Sequence, residues 1–162
     1  MRVWYVILTA CLSALLAPLA QAATTVNCTA SAGGIAFGIY NPLSTLANTS
    51  TGTVKVTCNG SGTGSANVTV NVTLSTGSSG SYATRKMFSG VNALNYNIYW
   101  STAYNQIVGD GSGGSFAGSA GPFVVPAGGS NFATGTFYGR IPASQDVAPG
   151  AYSDVIVVTV TY

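Results

Sequence analysis

From Asn67 to Leu74 the chain alternates strictly: Val68, Val70, Val72 and Leu74 fall on one side of an extended backbone, and Asn67, Thr69, Asn71 and Thr73 on the other. A period of two is the mark of a β-strand with one dry face and one wet face. The same spacing governs Thr53-Val54-Lys55-Val56-Thr57-Cys58, and strands are expected as well over residues 94–100, 132–141 and 152–162. Gly, Ser, Thr and Asn interrupt every stretch long enough to make a helix. Turn segments at 59–65, 77–81, 109–121 and 127–130 separate the strands. Short strands at this spacing predict an all-β fold, an antiparallel β-sandwich whose inner faces are built from alternate residues.

The last strand differs from the others. Ile156, Val158, Val160 and Tyr162 point one way, while Val155, Val157, Thr159 and Thr161 point the other. Both faces are fairly apolar, and such a strand is normally central or covered, so a neighbour should lie beside it.

Charge excludes several functions. The 162 residues include 5 Lys+Arg, 3 Asp+Glu and no His, so only 5% are charged, where about 25% is usual. A net charge of +2 is too small for a nucleic-acid-binding surface. A hydrophobic content of 47% argues against disorder. With Asp110, Asp146 and Asp154 as the only carboxylates, neither general acid–base catalysis nor a metal cage can be assembled. No enzyme, cofactor or metal is expected.

Met1-Arg2, an apolar run over residues 3–19 and the small-x-small triplet Ala20-Gln21-Ala22 read as a secretory leader over residues 1–22, cleaved after Ala22. Residues 23–162 then form one domain with no remaining membrane span. Cys11 leaves with the leader, so Cys28 and Cys58 are alone in an oxidising compartment and are expected to pair. Closing that loop contributes about 3 to 4 kcal/mol in the chain-entropy account. A catalytic thiol would lack a base to ionise it.

Several segments together resemble the spore coat protein U domain family, which includes secreted coat proteins and pilin subunits of archaic chaperone–usher pili. They are Ile35-Ala36-Phe37-Gly38-Ile39-Tyr40-Asn41-Pro42-Leu43, Gly52 through Cys58, Leu94 through Tyr99, Val108-Gly109-Asp110-Gly111, Tyr138 through Pro142, and Ala148 through Asp154 running into Val158 through Tyr162. The resemblance implies an incomplete immunoglobulin-like antiparallel β-sandwich that lacks its final strand. It also implies partners: a periplasmic chaperone that lends a strand, an outer-membrane usher, and a neighbouring pilin whose N-terminal extension completes the sandwich by donor-strand complementation. Export would run through the periplasm to the cell surface. Ile156, Val158, Val160 and Tyr162 would border the open groove. Filling it with four or five apolar side chains contributes roughly 6 to 15 kcal/mol before ordering costs.

Ahead of Cys28, cleavage leaves Ala23-Thr24-Thr25-Val26-Asn27, at most about 17 Å of strand. That is short for a donor, which suggests a subunit at a fibre end, such as the tip, or one secreted without polymerising. A self-sufficient coat protein and a carbohydrate-binding module are the alternative readings.

Smaller motifs read blandly. Gly109 to Gly114 is a turn with Asp110 bonded locally, Arg85-Lys86 a solvated pair, and Arg140 a partner for Asp146 or Asp154. Tyr96, Tyr99, Trp100, Tyr104, Phe132 and Phe137 are expected mostly in the core, with Tyr99, Trp100 and Tyr104 as an alternative sugar platform. Phe116, Phe123, Val124 and Val125 form either an exposed adhesive loop or one buried strand.

Overall fold

The computed structural model describes residues 23–162; the leader and Cys11 lie outside the described residues. Alternation becomes two sheets packed face to face. One sheet holds, in spatial order, β1 (Thr25–Gly33), β2 (Asn48–Ser61), β8 (Ser130–Ile141) and β6 (Asn97–Tyr99). The other holds β7 (Gly118–Pro126), β3 (Ser65–Leu74) and β9 (Val158–Thr161). A hairpin of β4 (Lys86–Ser89) and β5 (Asn92–Asn95) stands apart. Every strand pairing is antiparallel.

The inward residues are the ones the alternation selects. Val54, Val56 and Cys58 of β2 meet Val68, Val70, Val72 and Leu74 of β3, and Phe137 and Ile141 of β8 extend the same core. Each such side chain contributes about 1.5 to 3 kcal/mol by leaving water. Cys28 and Cys58 face each other in the β1–β2 register and are joined by a disulfide.

Between β1 and β2 the chain dips into the sandwich. Ile35 and Phe37 fill two hollows that exist because Gly52 of β2 and Gly139 of β8 lack a Cβ. A methyl on Gly52 would lie 2.7 Å from Ile35, and one on Gly139 would lie 2.6 Å from the Phe37 ring. Phe37 then meets Tyr96 edge to face, with ring centroids 6.0 Å apart.

Three expected boundaries move. Residues 94–100 form two strands rather than one, because the Tyr96 N–H donates to the Arg85 carbonyl (3.0 Å) and the chain passes there from β4 to β8. The turn read over 109–121 ends earlier, since β7 begins at Gly118. At the end of the chain only Val158–Thr161 is strand. Upstream, Ser153 exchanges backbone hydrogen bonds with Phe88 (2.9 and 3.1 Å), and the Val157 carbonyl accepts from the Ser75 N–H (2.9 Å).

Candidate functional site

β9 is hydrogen-bonded on one side only. Its register with β3 pairs Leu74 with Val158, Thr73 with Thr159, Val72 with Val160 and Asn71 with Thr161; among the described residues no strand lies on its other side. β1 is the matching edge of the facing sheet. A cleft of about 460 Å³ opens between these two edges, with Leu74, Ile98 and Phe137 at its base and residues 32–35 and 152–156 along its sides. It shares Ile35, Phe37, Met87 and Tyr152 with a second cavity of about 570 Å³ that reaches Leu94, Ile141 and Val147. The lining is aliphatic and aromatic, with Asp154 the one carboxylate.

Asp154 anchors one side of the cleft. Its Oδ1 accepts hydrogen bonds from the Ser78 N–H (2.9 Å), the Ser78 hydroxyl (2.7 Å) and the Val155 N–H (2.8 Å), and its Oδ2 accepts from the Tyr96 hydroxyl (2.7 Å). Burial pushes this carboxyl upward, but the bonds from Ser78, Tyr96 and Val155 outweigh it, leaving Asp154 below the usual carboxylate range. Burial, aided by the neighbouring Asp154 carboxylate, raises the Tyr96 phenol and keeps it a neutral donor. Asp154 thus ties its segment to Ser78 and Tyr96 by directional bonds.

Ile156, Val158 and Val160 are partly buried and pack against the core from β9 and the segment before it. Tyr162 lies just past β9 and is 58% exposed, so the structure does not bring it into the cleft base. On the opposite face Val155 and Val157 are 77% and 60% exposed.

The stretch read as a possible adhesive loop is mostly strand. Val125 is fully buried and Phe123 packs on the core, while Val124 and Phe116 are about half exposed. Adjacent residues on β7 face opposite ways, so Phe123, Val124 and Val125 cannot act as one surface.

Arg85 corrects another expectation. It is completely buried rather than solvated. Its Nη2 donates to the Ser75 carbonyl (2.7 Å) and the Val108 carbonyl (2.8 Å), its Nη1 donates to Asn97 Oδ1 (3.0 Å), and the Tyr82 ring lies 5.2 Å away. Burial lowers its pKa, although the guanidinium stays charged at neutral pH. Arg140 pairs with neither expected Asp; it stacks 5.2 Å over the Tyr104 ring. Asp110 accepts from the Ser112 N–H (2.8 Å) and hydroxyl (2.7 Å), a local turn.

Trp100 is packed structurally. Its Nε1 donates to the Phe116 carbonyl (3.0 Å), and its ring covers Gly118 and tilts onto Phe137 at 5.4 Å. It borders a cavity of about 400 Å³ between β7 and β8, on the flank opposite β9. The proposed sugar trio is therefore split, leaving Tyr99 and Tyr104 edge to face at 5.3 Å. Phe132 is 58% exposed instead of buried. Its parity could have shown this, since residues five apart on a strand, such as Phe132 and Phe137, must face opposite ways.

A seven-strand antiparallel sandwich with one unfilled edge beside its last strand is the architecture of an incomplete immunoglobulin-like domain. The chain matches the Spore Coat Protein U domain over residues 14–159 and belongs to that family. It is also similar to a chain in the crystal structure of the CsuC–CsuE chaperone–tip adhesion subunit pre-assembly complex from archaic chaperone–usher Csu pili of Acinetobacter baumannii. That similarity has a TM-score of 0.53 at 20% identity and covers 85% of this chain and 40% of the other. No curated protein matches.

Proposed function

We propose that this chain is a chaperone–usher pilus subunit, exported through the periplasm to the cell surface and completed by a strand from another polypeptide. The observation that carries the reading is the one-sided pairing of β9 beside an apolar cleft. An extended segment entering there would hydrogen-bond the free edge of β9 and place alternate side chains over Leu74, Ile98 and Phe137. Ile156, Val158, Val160 and Tyr162 would line its path. The first such strand would come from a periplasmic chaperone and its replacement from a neighbouring subunit after delivery to an outer-membrane usher. The similarity to a chain of a chaperone–subunit complex supports the first of these partners, the chaperone.

A place at the fibre end belongs to the same proposal. Thr25 to Asn27 already pair with Ser61 to Asn59 inside the first sheet, and the Thr24 hydroxyl donates to the Thr63 carbonyl (2.6 Å). Residues held this way are unavailable to a neighbour. The role would be structural and adhesive, with no chemistry at the cleft.

Periplasmic expression of residues 23–162 with and without the cognate chaperone tests the reading. A one-to-one complex and chaperone-dependent yield are expected. A stable monomer formed equally well alone would replace the pilin reading with that of a self-sufficient coat protein.

A further inference from the structure

The outward face of the β1–β2–β8–β6 sheet carries a second surface that the cleft does not use. Phe132, Thr134, Thr136 and Tyr138 occupy alternate positions on β8, opposite in direction to the buried Phe137. The ends of this row are aromatic, about 20 Å apart along the strand, and its middle is hydroxylated. On β2 the register partners of Phe132, Thr136 and Tyr138 are Thr57, Thr53 and Thr51, which double the hydroxyl row. Lys55 lies between the two aromatic ends, its ammonium 4.6 Å from the Phe132 ring centroid, and Arg140 points the same way one rung beyond the partly buried Tyr138, stacked on Tyr104.

An exposed sheet face of this size normally carries several charges to stay solvated and unpaired. Here the face offers threonine hydroxyls, each both donor and acceptor, with methyl groups between them and a ring at either end. Those are the groups that match an uncharged chain of sugar rings: hydroxyls for its hydroxyls, and aromatic faces for its C–H surfaces. Neither an anionic polymer nor a nucleic acid finds a cluster of cations there. We infer that this row is a binding face for an extended neutral polysaccharide, seated along β8 between Phe132 and Tyr138. Since β8 lies two strands in from the β1 edge, the face stays open when the cleft is filled, and the inference stands apart from the pilin reading.

The outward side of β3, with Asn67, Thr69, Asn71 and Thr73, offers hydroxyls and amides without a ring and serves as an internal control. The secreted protein, as purified with or without its chaperone, is incubated with microcrystalline cellulose, insoluble chitin and anionic carboxymethyl-cellulose, and depletion is measured. Retention on at least one neutral polymer is expected, the two arms showing whether acetamido groups matter. Phe132→Ala with Tyr138→Ala should weaken it at least ten-fold, Tyr138→Phe should preserve it, and Thr69→Ala with Asn71→Ala should leave it unchanged. Should the double variant fail to fold, Thr134→Ala with Thr136→Ala gives the same reading at sites that bear less on packing.

Absence of retention on both neutral polymers overturns the inference. So does equal retention by the face variants, or retention that is confined to carboxymethyl-cellulose or abolished by 0.5 M salt, which would mean attraction through Lys55 or Arg140. Self-association removed by the double variant, without polysaccharide binding, would assign the face to a second copy of the chain instead. A self-sufficient monomer that still binds cellulose would leave this inference intact while removing the pilin reading.

Discussion

β3 and β9 are neighbours with the same kind of sequence, valine alternating with a hydroxyl or amide residue, and yet their inner faces end up differently. Val68, Val70, Val72 and Leu74 are 7% exposed or less, whereas Val158 and Val160, two rungs of the same ladder, are only partly buried. Among the described residues β3 has a strand on either side and β9 has one. Alternation fixes which way a side chain points; the number of neighbouring strands fixes whether water reaches it.

This contrast can be broken or sharpened experimentally. The largest effect is expected on the edge opposite β9, where replacing Cys28 and Cys58 by Ser removes the staple of β1 and should lower stability by about 3 kcal/mol, read from urea unfolding. Loss of β1 would also take away the facing edge of the cleft, so strand binding should fall with it. Next, Val72→Ala should cost about 2 to 3 kcal/mol, since a buried side chain leaves a cavity.

Asp154→Asn removes the anionic acceptor of four hydrogen bonds and should cost about 1 kcal/mol at neutral pH. Because the folded carboxyl sits below its unfolded value of about 3.9, its contribution is present above pH 4 and vanishes as the pH falls through the folded value. Unfolding midpoints at pH 7 and pH 3 should accordingly converge in Asp154→Asn relative to the parent protein. An unchanged pH dependence would show that the backbone bonds of Ser153 and packing, not the Asp154 carboxylate, hold residues 153–156.

The smallest effect is expected at Val160→Ala, the rung partner of Val72, with about 1 kcal/mol in the isolated chain because the side chain is only partly buried there. Once an extended peptide of alternating apolar residues fills the cleft, the same substitution should become nearly as costly as Val72→Ala. Equal costs in the isolated chain would mean that β9 is already covered in solution.

Much of the sandwich was legible because period-two alternation needs no knowledge of distant residues. The inner residues of β2 and β3 follow from it directly, whereas the two-sided apolar character of residues 155–160 asked for a neighbour that the described residues do not supply. The part of the lining contributed by Met87, Leu94 and Ile98 was not legible. Met87 and Leu94 are partners in the β4–β5 hairpin, and Ile98 joins the same lining only because the chain changes partner after Tyr96, from β4 to β8, with no turn residue to mark the change. Arg85 misled for a related reason. Its acceptors are the carbonyls of Ser75 and Val108 and the amide of Asn97, and backbone carbonyls carry no sequence signature. Phe132 misled because its hydrophobicity was weighed ahead of its parity.

Gly52 and Gly139 give the molecule a remote adjustment of its open edge. Neither touches β9, yet each is the mould into which Ile35 or Phe37 is pressed. A methyl added at Gly139 would press on both Phe37 and Ile35, which line the cleft, and one at Gly52 would press on Ile35 and on the Gly33 carbonyl of β1. The shape of the cleft, and in the proposed role the choice of strand it accepts, is therefore set in part from the facing sheet while every residue of β9 stays the same.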